Sequence, residues 1–142
     1  GSFEDILSSF AANWERDTAD FTVDTTSKGN AGVNSLHIGA NTNYAHAFSN
    51  KITVDPTKTY TWSQYVNVLT GLGEFGFYID EYDANGTWIS GQWKGMLSGA
   101  VAGNQTFTYT PTNATVSSVR LQYYAVPNSS FNLYLDSVSL SN

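Results

Sequence analysis

The sequence predicts an all-β protein, a jelly-roll β-sandwich of two antiparallel sheets, and three observations carry that expectation. No segment of the 142 residues keeps a helical apolar period over three turns. The best stretch, Asp5 to Trp14, is short and runs into a charged turn. β-Branched and aromatic runs broken by Gly, Asn, Pro and Asp recur along the whole chain instead. About ten such runs at this spacing are what a two-sheet sandwich requires.

In chain order, strands are expected at Phe3–Ile6, Phe21–Thr25 and Ser35–Ile38, each a short apolar run among polar residues. A long run, Tyr44–Val54, ends at the turn Asp55-Pro56-Thr57. Tyr60–Leu69 and Phe75–Tyr82 follow, the second closed by the hairpin signal Asn85-Gly86. Trp88–Trp93 comes next, then Thr106–Tyr109, which stops at Thr110-Pro111. Val119–Val126 ends at Pro127-Asn128, and Asn132–Leu140 closes the chain. No internal repeat or linker interrupts this series, so residues 1–142 are expected to form a single domain.

Composition narrows the partners. Hydrophobic residues make up 41% and charged residues 13%, too apolar for a disordered tail. Aromatics reach 15%, more than a core of this size uses, so some are expected on the surface. The net charge is −6 and the pI about 4.5, with six scattered cations and no basic stripe. Nucleic acids and anionic membranes are therefore not expected partners. The absence of cysteine excludes disulfides, thiol catalysis and Cys-based zinc sites. No apolar run approaches the roughly 18 residues that cross a bilayer. Without a signal peptide, the sequence reads as a piece of a larger secreted or cell-surface precursor, and as a monomer.

Period-two alternation sorts side chains between faces. In Tyr60–Val68, Tyr60, Trp62, Val66 and Val68 share one face, and Thr61, Ser63, Tyr65 and Asn67 the other. Phe75, Phe77 and Ile79 point inward, leaving Gly76, Tyr78 and Asp80 outward. Val119, Leu121, Tyr123 and Ala125 point inward, leaving Arg120, Gln122 and Tyr124 outward. Three strands thus each expose one aromatic among polar groups: Tyr65, Tyr78 and Tyr124. By the same alternation Trp88 and Trp93 are expected on opposite faces, with Trp93 the one displayed.

Several stretches resemble the jelly-roll carbohydrate-binding modules of the family 4/9/16/22 type. They are Gly1-Ser2-Phe3-Glu4 followed by Asn13-Trp14, and Pro56-Thr57-Lys58-Thr59-Tyr60-Thr61-Trp62-Ser63. The hairpin Tyr82-Asp83-Ala84-Asn85-Gly86 and the closing Leu135-Asp136-Ser137-Val138-Ser139-Leu140 complete the set, in the family's order. Gln64 and Glu81 depart from the pattern, standing where apolar residues are usual. The resemblance implies polysaccharide binding on a concave sheet, with covalently linked catalytic or surface domains in the parent protein. It also implies a structural calcium ion (Ca2+) held by Glu4 and Asp136, with carbonyls of the Lys28-Gly29-Asn30 loop as further ligands. Trp14 occupies a position that packs in some members and binds in others.

Sugars offer apolar C–H faces and hydroxyl edges, so a site needs flat aromatics beside hydrogen-bonding groups. Tyr65, Tyr78, Tyr124 and Trp93, with Asp80, Arg120 and Gln122, meet that description; Trp14 is a further candidate. The bland alternatives are an Arg120–Asp80 cross-strand ion pair and a second small core under a loop. Other functions remain open as well. One is a structural or adhesive domain of a bacterial surface or phage tail protein. Another is a glycoside-active enzyme, for which Asp80, Glu81 and Asp83 are a cluster of carboxylates. His37 and His46 are isolated and read as packing or surface residues.

Overall fold

Trp62 lies at the centre of the molecule, fully buried and ringed by Phe77, Phe107 and Tyr123 at 5.6–5.8 Å between ring centroids. These four side chains come from different strands of two facing sheets, and their meeting is what the alternation of each strand dictates. The computed structural model describes residues 3, 4, 10–97 and 100–142, together with the backbone of residues 6 and 7.

Among the described residues thirteen strands follow one another: β1 (Ile6–Leu7), β2 (Phe10–Ala11), β3 (Trp14–Arg16), β4 (Phe21–Asp24), β5 (Ser35–Ala40), β6 (Ala45–Ser49) and β7 (Ile52–Thr53). The rest are β8 (Tyr60–Leu72), β9 (Phe75–Tyr82), β10 (Trp88–Leu97), β11 (Val101–Tyr109), β12 (Ser118–Ala125) and β13 (Ser130–Ser141). One sheet runs β10-β9-β12-β6-β3, with β7 also paired to β12. The other runs β11-β8-β13-β5-β4, and β1 pairs with β2. Every pairing is antiparallel. This is the expected jelly-roll β-sandwich, and no helix occurs among the described residues.

Gln64 and Glu81 break the apolar rule inside the sandwich without disturbing it. Gln64, fully buried, accepts the Tyr123 hydroxyl at 2.9 Å and donates to the Gln105 carbonyl at 2.6 Å. Glu81, also fully buried, accepts four hydrogen bonds described below. Because both are satisfied, the inward phase of β8 and β9 continues straight through them.

The structure corrects several expected boundaries. Of the strand expected over Phe3–Ile6, Phe3 and Glu4 are irregular, residue 5 lies outside the described residues, and Ile6 opens β1. The long run Tyr44–Val54 is two strands, broken at Asn50 and Lys51. Ser49 ends the first of them and bonds β12 from both its groups: its hydroxyl accepts the Leu121 N–H at 2.9 Å and its carbonyl accepts Arg120 Nε at 2.6 Å. β11 begins at Val101 rather than Thr106, and β3 was not foreseen.

Candidate functional site

The outer face of the β10-β9-β12-β6-β3 sheet gathers most of the surface aromatics. Tyr78 and Asp80 come from β9, Arg120, Gln122 and Tyr124 from β12, and the register sets them in rows. One row reads Trp93, Tyr78, Gln122, Phe48, Glu15 across five strands. The next pairs Gly76 with Tyr124 and His46. Glycine replaces a side chain at two places under these rings: the Tyr124 phenol lies over Gly76, and the Tyr78 phenol over Gly91.

Polar groups of this face bond largely to one another. The Trp93 indole N–H donates to the Tyr124 hydroxyl at 2.8 Å, which donates to Glu74 Oε2 at 2.6 Å. Burial, followed by the hydrogen bond to Glu74, pushes the Tyr124 phenol up to about 12. Asp80 accepts the Trp88 indole N–H at 3.0 Å on one oxygen and Gln122 Nε2 at 2.8 Å on the other. Both carboxylate oxygens are thereby used, and Asp80 is buried beneath its donors. The Tyr78 phenol is raised by burial and by the nearby Asp80 and Glu81 charges. On β6, His46 stacks between Tyr44 and Phe48, with rings 5.9 and 5.8 Å apart and within 14° of parallel. Asp17 holds its Nδ1 and backbone N–H.

Both indoles of β10 reach this face, against the expectation from alternation. Trp88 pairs with Tyr82 and Ser90 with Glu81, so Ile89 is an extra residue, a β-bulge. The inserted residue shifts the phase by one, and Trp88 and Trp93 point the same way. They are 53% and 58% exposed, so most of each indole meets solvent.

Two other expectations are corrected, and the alternative of an Arg120–Asp80 ion pair is not met. Tyr65 lies on β8, in the opposite sheet, between Asn104 and Asp136, and so cannot share a face with Tyr78 and Tyr124. Trp14 points inward from β3, stacking on Tyr123 at 5.6 Å and meeting Phe3 at 5.3 Å. It walls a cavity of about 340 Å³ with Ile52, Leu121, Val138 and Leu140, away from the outer face. Arg120 stands opposite Asp80 in the ladder but bonds to Glu15 at 3.0 Å, its guanidinium over the Phe48 ring.

The clustered carboxylates face three ways. Asp80 lies under the outer face, whereas Asp83 caps the hairpin, accepting the Asn85 and Thr87 N–H groups at 2.9 and 3.0 Å. Glu81 points inward and accepts Tyr109, Ser90 and both the N–H and hydroxyl of Thr112 at 2.5–2.9 Å. Burial alone would raise its carboxyl, but the bonds from Thr112, Tyr109 and Ser90 outweigh that and lower it. His37 bonds Asn132 at 3.0 Å and packs on Tyr134, a structural role.

Glu4 and Asp136 meet the same loop from opposite ends of the chain. Glu4 accepts the N–H groups of Val33 and Asn34 at 3.2 and 3.1 Å. Asp136, fully buried, accepts those of Asn30, Ala31 and Ser137 at 2.7–3.0 Å. Two carboxylates, one of them buried without an ion pair among the described residues, suit a hard cation in kind. The loop, however, offers them N–H groups rather than the expected carbonyls, and the Lys28 carbonyl accepts Asn67 instead.

Sequence reasoning missed Trp88, Glu74 and the Tyr44–His46–Phe48 ladder. The ladder was readable, since residues 44, 46 and 48 alternate within an expected strand; the bulge that turns Trp88 was not.

No family model matches the chain, and no curated protein matches it in sequence. Solved structures match it in fold. A protein described as Family 16 Carbohydrate Binding Module-2 superposes with TM-score 0.67 at 13% identity, over 91% of this chain and 90% of its own. The CBM22-1 xylan-binding domain of Paenibacillus barcinonensis Xyn10C gives 0.68 at 17%, over 99% and 90%. The K1 cleaved adhesin domain of Lys-gingipain from Porphyromonas gingivalis gives 0.64 at 12%, over 100% and 96%. At these identities the likeness is one of fold, and the fold is the jelly-roll sandwich that carbohydrate-binding modules use.

Proposed function

We propose that this chain is a non-catalytic module that holds a polysaccharide or oligosaccharide on the outer face of its six-stranded sheet. The observation that supports this most is the set Trp88, Tyr78, Trp93 and Tyr124, gathered on one face, with the polar edges of Trp88, Trp93 and Tyr124 tied down. Trp88 is bonded to Asp80, and Trp93 and Tyr124 to each other. Groups held in this way lose little freedom when a sugar stacks on them. The fold neighbours support the same reading, one of them a xylan-binding domain. Arg120 and Gln122 border the rings and supply hydrogen-bonding edges for hydroxyls. The biological output is localisation. Linked to a catalytic or surface domain of a secreted or cell-surface protein, such a module raises that domain's effective concentration at the glycan.

A glycan array with the intact chain tests this reading. Selective binding to neutral polysaccharide supports it, and no binding to any glycan would move the assignment to a structural or adhesive domain. That second reading is favoured by the gingipain adhesin domain among the fold neighbours. Incubation with soluble glucan, mannan and xylan is expected to release no new reducing ends, in keeping with the divergent directions of Asp80, Glu81 and Asp83. Reproducible release would make the chain an enzyme.

A structural calcium ion belongs to the same proposal. The Glu4 and Asp136 carboxylates would hold it where both chain ends reach the 28–34 loop. Its role there is to neutralise the buried Asp136 charge and pin the ends together.

A further inference from the structure

Gly76 and Gly91 sit inside strands, where glycine weakens the sheet and normally has a reason. Backbone conformation is not the reason. The glycines that require a positive φ are Gly32, Gly73, Gly86, Gly95 and Gly103, and neither of these two is among them. Any residue fits their backbone. What excludes a side chain is a tyrosine: a Cβ on Gly76 would fall within 3.0 Å of the Tyr124 ring and hydroxyl, and one on Gly91 within 3.0 Å of those of Tyr78. The two arrangements are alike. Tyr124 on β12 reaches over β9, and Tyr78 on β9 reaches over β10, each ring crossing to the next strand on the same side.

We propose that Gly76 and Gly91 are positioning residues of the glycan site: each omits the Cβ that would hold a tyrosine off the sheet, so that Tyr124 and Tyr78 lie down across the neighbouring strand as stacking platforms. This rests on the glycan-binding reading above. An alanine at either place lifts its ring, tilts the platform and spoils contact with a flat sugar face. At Gly76 it also breaks the geometry by which Tyr124 receives the Trp93 N–H and reaches Glu74. A purely structural alternative exists, since an aromatic covering a strand glycine also stabilises a sheet. The two roles separate in experiment.

The test uses the whole chain, its Gly76→Ala, Gly91→Ala, Tyr124→Ala and Tyr78→Ala variants, and the matching double variants. Soluble β-glucan, xylan and mannan serve as probes in affinity electrophoresis. Each glycine variant is expected to weaken binding at least fivefold to whichever probe the parent binds, with the melting temperature moved by only a few degrees. That loss is expected to vanish when the overlying tyrosine is already alanine, which double-mutant cycles measure directly. A ligand-free readout accompanies it. The Hα resonances of Gly76 and Gly91 are expected to be displaced upfield by ring currents, and to relax in Tyr124→Ala and Tyr78→Ala respectively. Unshifted glycine resonances overturn the inference whatever binds. Shifted resonances with full binding in both glycine variants overturn the positioning role. Shifted resonances with no probe bound by the parent overturn the glycan reading, and the positioning role falls with it.

Discussion

Trp93 donates its indole N–H to the Tyr124 hydroxyl at 2.8 Å, across the intervening strand β9. The same hydroxyl donates to Glu74, so the polar end of Tyr124 is engaged on both sides and its ring face is what it offers a ligand. Tyr124→Ala is therefore expected to weaken binding to the best glycan about tenfold, on the order of 1.4 kcal/mol. Tyr124→Phe keeps the face and is expected to cost about threefold or less. Calorimetric titration of both variants checks the ratio; equal losses would assign the role to the hydroxyl.

Tyr123, one residue away, is expected to behave in the opposite manner. It is fully buried and stacks on Trp14 at 5.6 Å. Tyr123→Ala opens the centre of the core and orphans Gln64, which accepts its hydroxyl. A loss of about 3 kcal/mol or more in denaturant unfolding is expected, from the cavity left behind. Residual folded protein is expected to keep its glycan. The reverse pattern for the two tyrosines would invert the two faces of β12.

How far the site was legible follows from the range of the signal each residue carries. Tyr78 and Asp80, and likewise Gln122 and Tyr124, were placed on one face because alternation is local to a strand and β9 and β12 are regular. Tyr65 obeys the same alternation, yet which sheet β8 joins is decided by long-range pairing that no local pattern carries. Ile89 shows the complementary failure. One inserted residue changes the phase of β10 and brings Trp88 to the face, and nothing in Trp88-Ile89-Ser90-Gly91 announces the bulge. The positions of Gly76 and Gly91 were visible, but their meaning needed the tyrosines above them.

These corrections are testable in binding. Trp88→Ala removes an exposed indole and a donor to Asp80, and is expected to weaken binding five- to tenfold. Tyr65→Ala, on the opposite sheet, is expected to leave affinity within about twofold of the parent. Affinity electrophoresis on the same polysaccharide compares them side by side. A large loss at Tyr65 with none at Trp88 would put the ligand on the wrong sheet for this proposal.

The calcium proposal predicts linkage between metal and stability. A ligand that binds only the folded state raises its stability by mass action. Chelator is therefore expected to lower the melting temperature by several degrees, and added calcium to restore it. In Glu4→Gln the chelated and calcium-loaded curves are expected to coincide. Identical curves for the parent protein with and without chelator would leave Glu4 and Asp136 to the backbone N–H groups of the loop and of Ser137.

Glu81 ties β9 to the opposite sheet through Tyr109, and its titration has a definite sign. Its carboxyl is lowered in the folded protein, because four hydrogen bonds to the ionised form outweigh the cost of burial. A carboxylate so lowered contributes stability that is fully present above the unfolded value of about 4.3 and is lost as pH falls through the folded value. Glu81→Gln keeps the size but turns an amide donor towards groups that are themselves donors. At pH 7 the variant is expected to be less stable by roughly 2–3 kcal/mol, the cost of buried polar groups left unpaired. Below about pH 4.3 the gap is expected to narrow, since the parent loses what the variant never had. Denaturant melts of both proteins at pH 7, 5, 4 and 3 measure that gap directly. A gap that stays constant down to pH 3 would mean that Glu81 titrates alike in the folded and unfolded protein, and a gap that widens as pH falls from 7 towards about 4.3 would mean that the native carboxyl is protonated.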